Sequence, residues 1–217
     1  MRSQFLKANW AYWKSTWILR AREFVFWRKH KAVWRSGYGV STPGIIEYGF
    51  EAIIRMAELL GVGLLFAFFE GLFGGNRYRT LNAKESAFAK TYFEFFELES
   101  IFLDEGAKWV AGKLKIAFVA GFCIKTNGRF TPRLLIHELV HVRQFRRWGW
   151  AYVAKALMAQ LTGDGYDVPL EFALPQVFSA SAKTPIATFH PLLNAEQEAR
   201  RLEEWVMWRM RYTRGLA

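Results

Sequence analysis

The sequence predicts a mostly helical α+β fold for this chain of 217 residues. Residues 131–149 carry the start and stop signals of one long helix, and residues 194–199 open another. Before the first of these helices, two segments near 100–103 and 116–125 are rich in β-branched and aromatic residues, which is typical of strands. We therefore expect a short sheet beside two helices, preceded by a helical extension.

The composition limits the classes of function. With 52% hydrophobic residues the chain can bury a sizeable core, and 30 basic against 19 acidic residues give a net charge of +11. Such a charge favours anionic partners. Cys123 is the single cysteine, which excludes an intramolecular disulfide framework and a cysteine-based zinc site.

Residues 1–36 combine basic and aromatic side chains, with Glu23 as the one acid. The aromatic residues recur at spacings of three, four and seven, which predicts an amphipathic helix. Such a helix suits the headgroup region of an anionic membrane, or it packs its tryptophans on the rest of the protein. Nucleic acid is a weaker interpretation because no recognised binding module accompanies the charge. Lys7 and Lys14 interrupt any apolar stretch, so no secretory signal is predicted.

Residues 36–44 read as a linker, and residues 45–73 as a helical segment. Its uncharged run from Leu59 to Phe69 is too short to cross a bilayer, which takes about 20 residues. We expect this run to be a buried partner of the first helix rather than a shallow membrane insert. Glycines near position 74 then suggest two units, 1–76 and 77–217. Because neither a signal peptide nor a clear transmembrane helix is predicted, we expect a cytoplasmic or peripheral membrane location.

Residues 81–96 predict a helix, since Asn82 and Glu85 form a capping box. The segments near 100–103 and 116–125 each predict one strand, the second ending at a turn of Thr126, Asn127 and Gly128. An edge strand next to the following helix could pair with an extended peptide.

The helix at 131–149 contains the pattern His-Glu-x-x-His at His137, Glu138 and His141. Thr131 caps its start, and Gly149 ends it. Because the two histidines lie one turn apart on the same face, both can bind one ion at about 2.0–2.1 Å. Glu138 is turned by roughly 100° and can instead act as the base for a metal-bound water.

A third protein ligand is usual for a catalytic zinc ion. Asn194 and Gln197 form a capping box that fixes the start of a second helix, and Glu196 lies in its first turn. We choose Glu196 as the third ligand. Glu198, Glu203 and His190 remain alternatives.

Residues 150–161 predict another helix, followed by an irregular loop over the cleft at 162–189 and a last helix from 195 to about 210. Tyr152, Tyr166 and His190 are candidates to donate a hydrogen bond to a developing oxyanion or to contact the substrate.

The motif from His137 to Gln144, followed by Asn194 to Ala199, resembles the short bacterial zincin-type metallopeptidase-like domains found near contractile injection systems and toxins. The resemblance covers roughly residues 80–205, with Val140 where a threonine is frequent. It implies a minimal zincin-like domain in which His137, His141 and Glu196 bind zinc and Glu138 is the catalytic base.

Residues and resemblance together predict a metallopeptidase with one Zn²⁺ per chain that hydrolyses a peptide bond in a peptide or protein substrate. The alternative is a non-catalytic interaction or delivery module of the same fold, with a structural or vestigial metal site. In that case the protein would be associated with a membrane or a partner through residues 1–36.

Overall fold

The computed structural model describes residues 2–39, 43–73, 78–93, 98–107, 117–161 and 193–215. It confirms the mostly helical α+β class. The helices are α1 (Arg2–Val25), α2 (Lys31–Arg35), α3 (Ile45–Leu59), α4 (Val62–Phe73), α5 (Ala83–Tyr92), α6 (Pro132–Trp148), α7 (Ala151–Leu161) and α8 (Ala195–Gly215). The strands are β1 (Tyr78–Thr80), β2 (Phe102–Asp104), β3 (Phe118–Ala120) and β4 (Cys123–Lys125), and a 3₁₀ turn covers Leu98–Ser100.

The four strands form one mixed sheet in the order β1-β2-β4-β3. β2 and β4 are parallel, and the other two pairs are antiparallel. The prediction of a single strand at 116–125 is wrong, because this segment is the β3–β4 hairpin. Gly121 adopts a φ of 66°, which favours glycine and turns the chain back. β3 is an edge of the described sheet and contacts α6.

The core lies between the sheet, α6 and α8. Ile136, Leu139 and Val140 of α6 are fully buried, as are Leu103 and Ile124 of the sheet. Tight packing of these side chains holds α6 in a fixed position relative to both the sheet and α8. The helix that carries the histidines is therefore a central element of the fold.

The N-terminal helix packs on the remainder of the protein. Phe5 is buried, with its ring 5.5 Å from that of Tyr78 and 5.4 Å from that of Phe102. The indole nitrogens of Trp13 and Trp17 donate to the carbonyl oxygens of Glu58 and Leu59, each at 3.1 Å. α1 therefore joins the sheet to α3 and α4, and the division into 1–76 and 77–217 stays a prediction.

The segment 45–73 is two helices, because Gly61, with a φ of 77°, ends α3 and allows the chain to turn. The expected burial of its apolar run is wrong for most of the run: Ala67 is buried, while Leu65, Phe68 and Phe69 are about half exposed. Within the described residues, no single helix is both long and apolar enough to cross a membrane. Taken together, the helices Ile45–Leu59 and Val62–Glu70 are long and apolar enough to cross a membrane, but they are bent by 69° at the break between them.

Candidate metal centre

The helix α6 holds both histidines, and the predicted residues fix its start. The Oγ1 of Thr131 accepts a hydrogen bond from the backbone N–H of Leu134 at 3.1 Å, and Pro132 is the first helical residue. At the other end the guanidinium of Arg20 donates to the carbonyl oxygens of Arg146 and Arg147 at 3.1 and 2.8 Å. A buried cation at this end of the helix donates hydrogen bonds to carbonyls that lack a partner in the helix, and it interacts favourably with the helix dipole.

The helix α8 begins with the predicted capping box. The backbone N–H of Asn194 donates to Oε1 of Gln197 at 3.0 Å, and the N–H of Gln197 donates to Oδ1 of Asn194 at 2.8 Å. Ala195 and Ala199 are fully buried, which lets α8 approach α6 closely. The first turn of α8 is thereby fixed opposite the histidines.

His137, His141 and Glu196 form a triad that could hold one metal ion. The Nε2 atoms of the two histidines are 3.2 Å apart. The Oε2 atom of Glu196 is 3.4 Å from Nε2 of His137 and 3.3 Å from Nε2 of His141. We call this set the metal triad.

The dimensions of the metal triad fit a tetrahedral ion. Three ligand atoms about 2.0–2.1 Å from a zinc ion are separated from one another by about 3.3 Å, which matches all three distances. Oε2 of Glu196 is buried and has no hydrogen-bond partner among the described residues. A buried carboxylate oxygen requires a partner, and a cation at the centre of the triangle would supply it.

The outer ring nitrogens orient the histidines. Nδ1 of His137 lies 3.0 Å from Oε2 of Glu203, and Nδ1 of His141 lies 2.8 Å from Oε1 of Gln144. The amide nitrogen of Gln144 donates to the carbonyl oxygen of Ala195 and to Glu198, so its oxygen is the acceptor for His141. When the two imidazoles are neutral, both Nδ1 atoms therefore carry the proton, and the lone pairs of both Nε2 atoms face the triangle.

The carboxylate of Glu196 is also held from outside the triangle. The amide of Gln160 in α7 donates to Oε1 of Glu196 at 3.0 Å. This contact leaves Oε2 as the atom that faces the histidines. Three helices, α6, α7 and α8, thus fix the metal triad, which restricts the site to one geometry.

Glu138 is buried next to the metal triad and does not belong to it. Its Oε2 has no hydrogen-bond partner in the described part of the chain. Burial raises the pKa of Glu138, and the nearby His141 and His137 oppose that change. A buried carboxyl group with a free oxygen beside a metal site is suited to accept a proton.

The ionisation of the triad reflects its close packing. Burial alone would lower the pKa of His137, but its contacts with Glu196 and Glu203 outweigh burial and raise the pKa to about 9. The pKa of His141 is raised by Glu196 despite burial. The two histidines hold the pKa of Glu196 below its ordinary value against the effect of burial. Both histidines are therefore easier to protonate in the metal-free protein, and protons compete with a cation for the triad.

The remaining predicted site residues have different positions. The ring of Tyr152 is buried and lies 5.3 Å from the ring of His141, while Tyr166 and His190 are outside the described residues, as is the predicted loop 162–189. Glu203 and Glu198 contact the outer shell of the triad rather than its centre.

Gln144 and Gln160 position the site, and neither role was predicted from the sequence. For Gln144 a signal was present, because a residue three positions after His141 lies on the same face of the helix. Gln160 carried no local signal.

Comparison of the chain with the models of known protein families gave no match. Searches of curated proteins and of solved structures gave no match either. The fold and the site thus define a mostly helical α+β protein with a His-His-Glu triad arranged as in His-Glu-x-x-His metal sites with a distant glutamate.

Proposed function

We propose that this protein is a zinc-dependent hydrolase that cleaves a peptide bond. The observation that carries the proposal is the metal triad, with its edges near 3.3 Å, next to the unpaired carboxylate oxygen of Glu138. Two imidazoles and one carboxylate are the ligands of many catalytic zinc sites, and they leave the fourth position of a tetrahedron open.

The charges at the site support a divalent ion. With both imidazoles neutral, Glu138 and Glu196 bring two negative charges into a buried region, because Glu203 is paired with Arg133 and Arg200. Buried charges without partners are costly. A divalent cation neutralises them.

Each described residue has a role in the proposed mechanism. His137, His141 and Glu196 would hold the ion, which would lower the pKa of water and polarise the substrate carbonyl. Glu138 takes a proton from the attacking water at its free oxygen and passes it to the leaving amine nitrogen. Glu203, Gln144 and Gln160 keep the ligands in position.

The test compares Glu138→Gln with the parent protein. We expect Glu138→Gln to keep one zinc per chain, measured by elemental analysis, and to lower cleavage of a broad peptide library by roughly 10²–10⁴-fold. The control Glu99→Gln removes an exposed carboxylate and should leave cleavage unchanged. Equal cleavage by Glu138→Gln and the parent would exclude Glu138 as the base.

A second candidate function is a non-catalytic module in which the metal has a structural role. The burial of the triad favours it, since His137, the most exposed of the three residues, is only 8% exposed. In this case zinc raises the melting temperature, and neither the parent nor Glu138→Gln cleaves any peptide of the library.

A further inference from the structure

The helix α3 has its charged side chains inside and its apolar side chains outside. Glu51, Arg55 and Glu58 are buried, whereas Ile45 and Ile46 are 91% and 76% exposed. A helix on a water-exposed surface has the opposite arrangement. The outer side of α3 is therefore suited to an apolar environment.

The same surface continues onto α4. Between Ile45 and Leu72, every described residue that is exposed is apolar, and the two remaining carboxylates, Glu47 and Glu70, are partly buried. We call this surface the α3–α4 face. Its large exposed side chains are Ile45, Ile46, Ile53, Met56, Leu60, Val62, Leu65, Phe66, Phe68, Phe69 and Leu72. Apolar patches of this extent mark a contact with a membrane or a partner.

The charges in α3 are compensated inside the protein. Arg55 lies 2.7 Å from Oε1 of Glu51 and 3.1 Å from Oε2 of Glu23 in α1. Lys155 in α7 lies 2.8 Å from Oε2 of Glu51. Because Glu51 and Arg55 are paired inside the protein, their charges do not reach the α3–α4 face.

In the flanking segment 3–36, every exposed charged side chain is a cation. Its exposed charged residues are Lys7, Lys14, Arg22, Arg28, Lys29, Lys31 and Arg35, and its one acid, Glu23, is buried. Near the end of α1, Arg28 lies over the ring of Trp27 and Lys29 over the ring of Phe26, each at 5.7 Å. Pairs of aromatic and basic side chains are typical of the boundary between headgroups and acyl chains.

We propose that the α3–α4 face inserts into one leaflet of an anionic phospholipid bilayer, with the cations of residues 7–35 on the headgroups. A protein partner fits less well, because protein interfaces include a polar rim and hydrogen bonds, which this face does not offer. At 15 and 12 residues, α3 and α4 measure about 22 and 18 Å, below the roughly 30 Å of the hydrocarbon core. The bend of 69° between them also fits shallow insertion.

The test measures binding of the full chain to vesicles of phosphatidylcholine alone or mixed with phosphatidylglycerol, by flotation. The parent should bind the mixed vesicles and lose affinity as salt increases. The triple variant Leu65→Ser, Phe68→Ser and Phe69→Ser should bind at least about tenfold more weakly, because it removes exposed apolar surface. The matched variant Leu65→Met, Phe68→Leu and Phe69→Leu should bind like the parent.

The contribution of the cations to vesicle binding is tested by substituting exposed residues, because such substitutions do not disturb the core. Arg28→Gln with Lys29→Gln should bind the mixed vesicles roughly tenfold more weakly. The control pair Lys84→Gln with Lys90→Gln removes two exposed cations from α5 and should have a much smaller effect.

Three results would overturn the proposal. In the first, the parent binds neither kind of vesicle. In the second, the serine variant, shown to be folded by circular dichroism, binds as tightly as the parent. The third is a dimer in sedimentation that the serine substitutions dissociate, which would show that a second copy covers the α3–α4 face.

Discussion

Two groups of buried ionisable side chains lie in this protein, and they differ in how their charges are balanced. The first, which we call the ion-pair network, joins α1, α3 and α7. It contains three cations and three carboxylates, each cation within 4 Å of a carboxylate: Arg20, Arg55, Lys155, Glu23, Glu51 and Glu58. The charges of this network are balanced without any added group, although Nε of Arg20 has no hydrogen-bond partner among the described residues.

The charges of the metal triad and of Glu138 are not balanced in this way. Oε2 of Glu196 and Oε2 of Glu138 have no hydrogen-bond partner in the described part of the chain. The histidines that face Glu196 compensate it only when they are protonated; burial opposes this protonation, but the nearby carboxylates outweigh burial in the metal-free protein. The comparison teaches that burial of charge by itself does not indicate a binding site. The metal triad differs from the ion-pair network because its ligand atoms are suited to a cation that no described residue provides.

The largest expected effect separates the two groups by metal content. His137→Ala, His141→Ala and Glu196→Ala should each abolish stoichiometric metal, since each removes one of three ligands. Elemental analysis of the purified variants measures this. His30→Ala is the control, because it removes a histidine outside the triad. Full metal occupancy in any of the three variants would contradict the assignment of that ligand.

The next effect concerns stability and the ion-pair network. Glu51→Ala leaves Arg55 and Lys155 buried without their shared carboxylate, and we expect the free energy of unfolding to fall by about 3–5 kcal/mol. Urea unfolding monitored by circular dichroism measures it. Glu47→Ala in the same helix is the matched control, with an expected change below about 1 kcal/mol. A similar decrease in the free energy of unfolding in both variants would mean that the ion-pair network does not stabilise the fold more than Glu47 does.

A smaller effect is expected from the residues that orient the ligands. Glu203→Ala removes the carboxylate at Nδ1 of His137 and should weaken metal affinity by about 10–100-fold. Glu204→Ala is the neighbouring control, since its carboxylate contacts Arg200 on the surface. Competition with a chromogenic chelator gives both affinities. If the two variants bind metal equally well, Glu203 does not position His137.

The last effect is a pH dependence: metal affinity should rise with pH, whereas the stability of the metal-free protein should fall. The pKa of His137, raised to about 9 in the metal-free protein, means that a metal ion must displace a proton below that pH. Apparent metal affinity should therefore rise by roughly tenfold per pH unit up to about pH 9 for each proton released. The metal-free protein should lose stability as the pH rises from about 6.5 to 9, because protonated His137 is favoured in the folded state. Chelator competition and thermal unfolding at several pH values measure the two trends. A flat profile for both would show that His137 does not carry the displaced proton.

Local signals in the sequence predicted much of the fold. The caps at Thr131, Asn82 and Asn194 each form the expected hydrogen bond, because capping depends on residues three positions apart. The strand at 116–125 was wrong because a hairpin of two short strands resembles one longer strand when its turn is only Gly121 and Phe122. The apolar run in α4 was expected to be buried, since hydrophobicity does not show which surfaces the other helices cover.

The sequence by itself determined which residues lie one turn apart on α6, and so it determined that two imidazoles face the same way. Helical geometry settles this within a single element. Only the tertiary structure decided that Glu196, rather than Glu198 or Glu203, meets both imidazoles, that Gln160 holds it, and that α3 turns its charges inward. These facts depend on how helices distant in the chain pack against one another, and no local pattern specifies that packing.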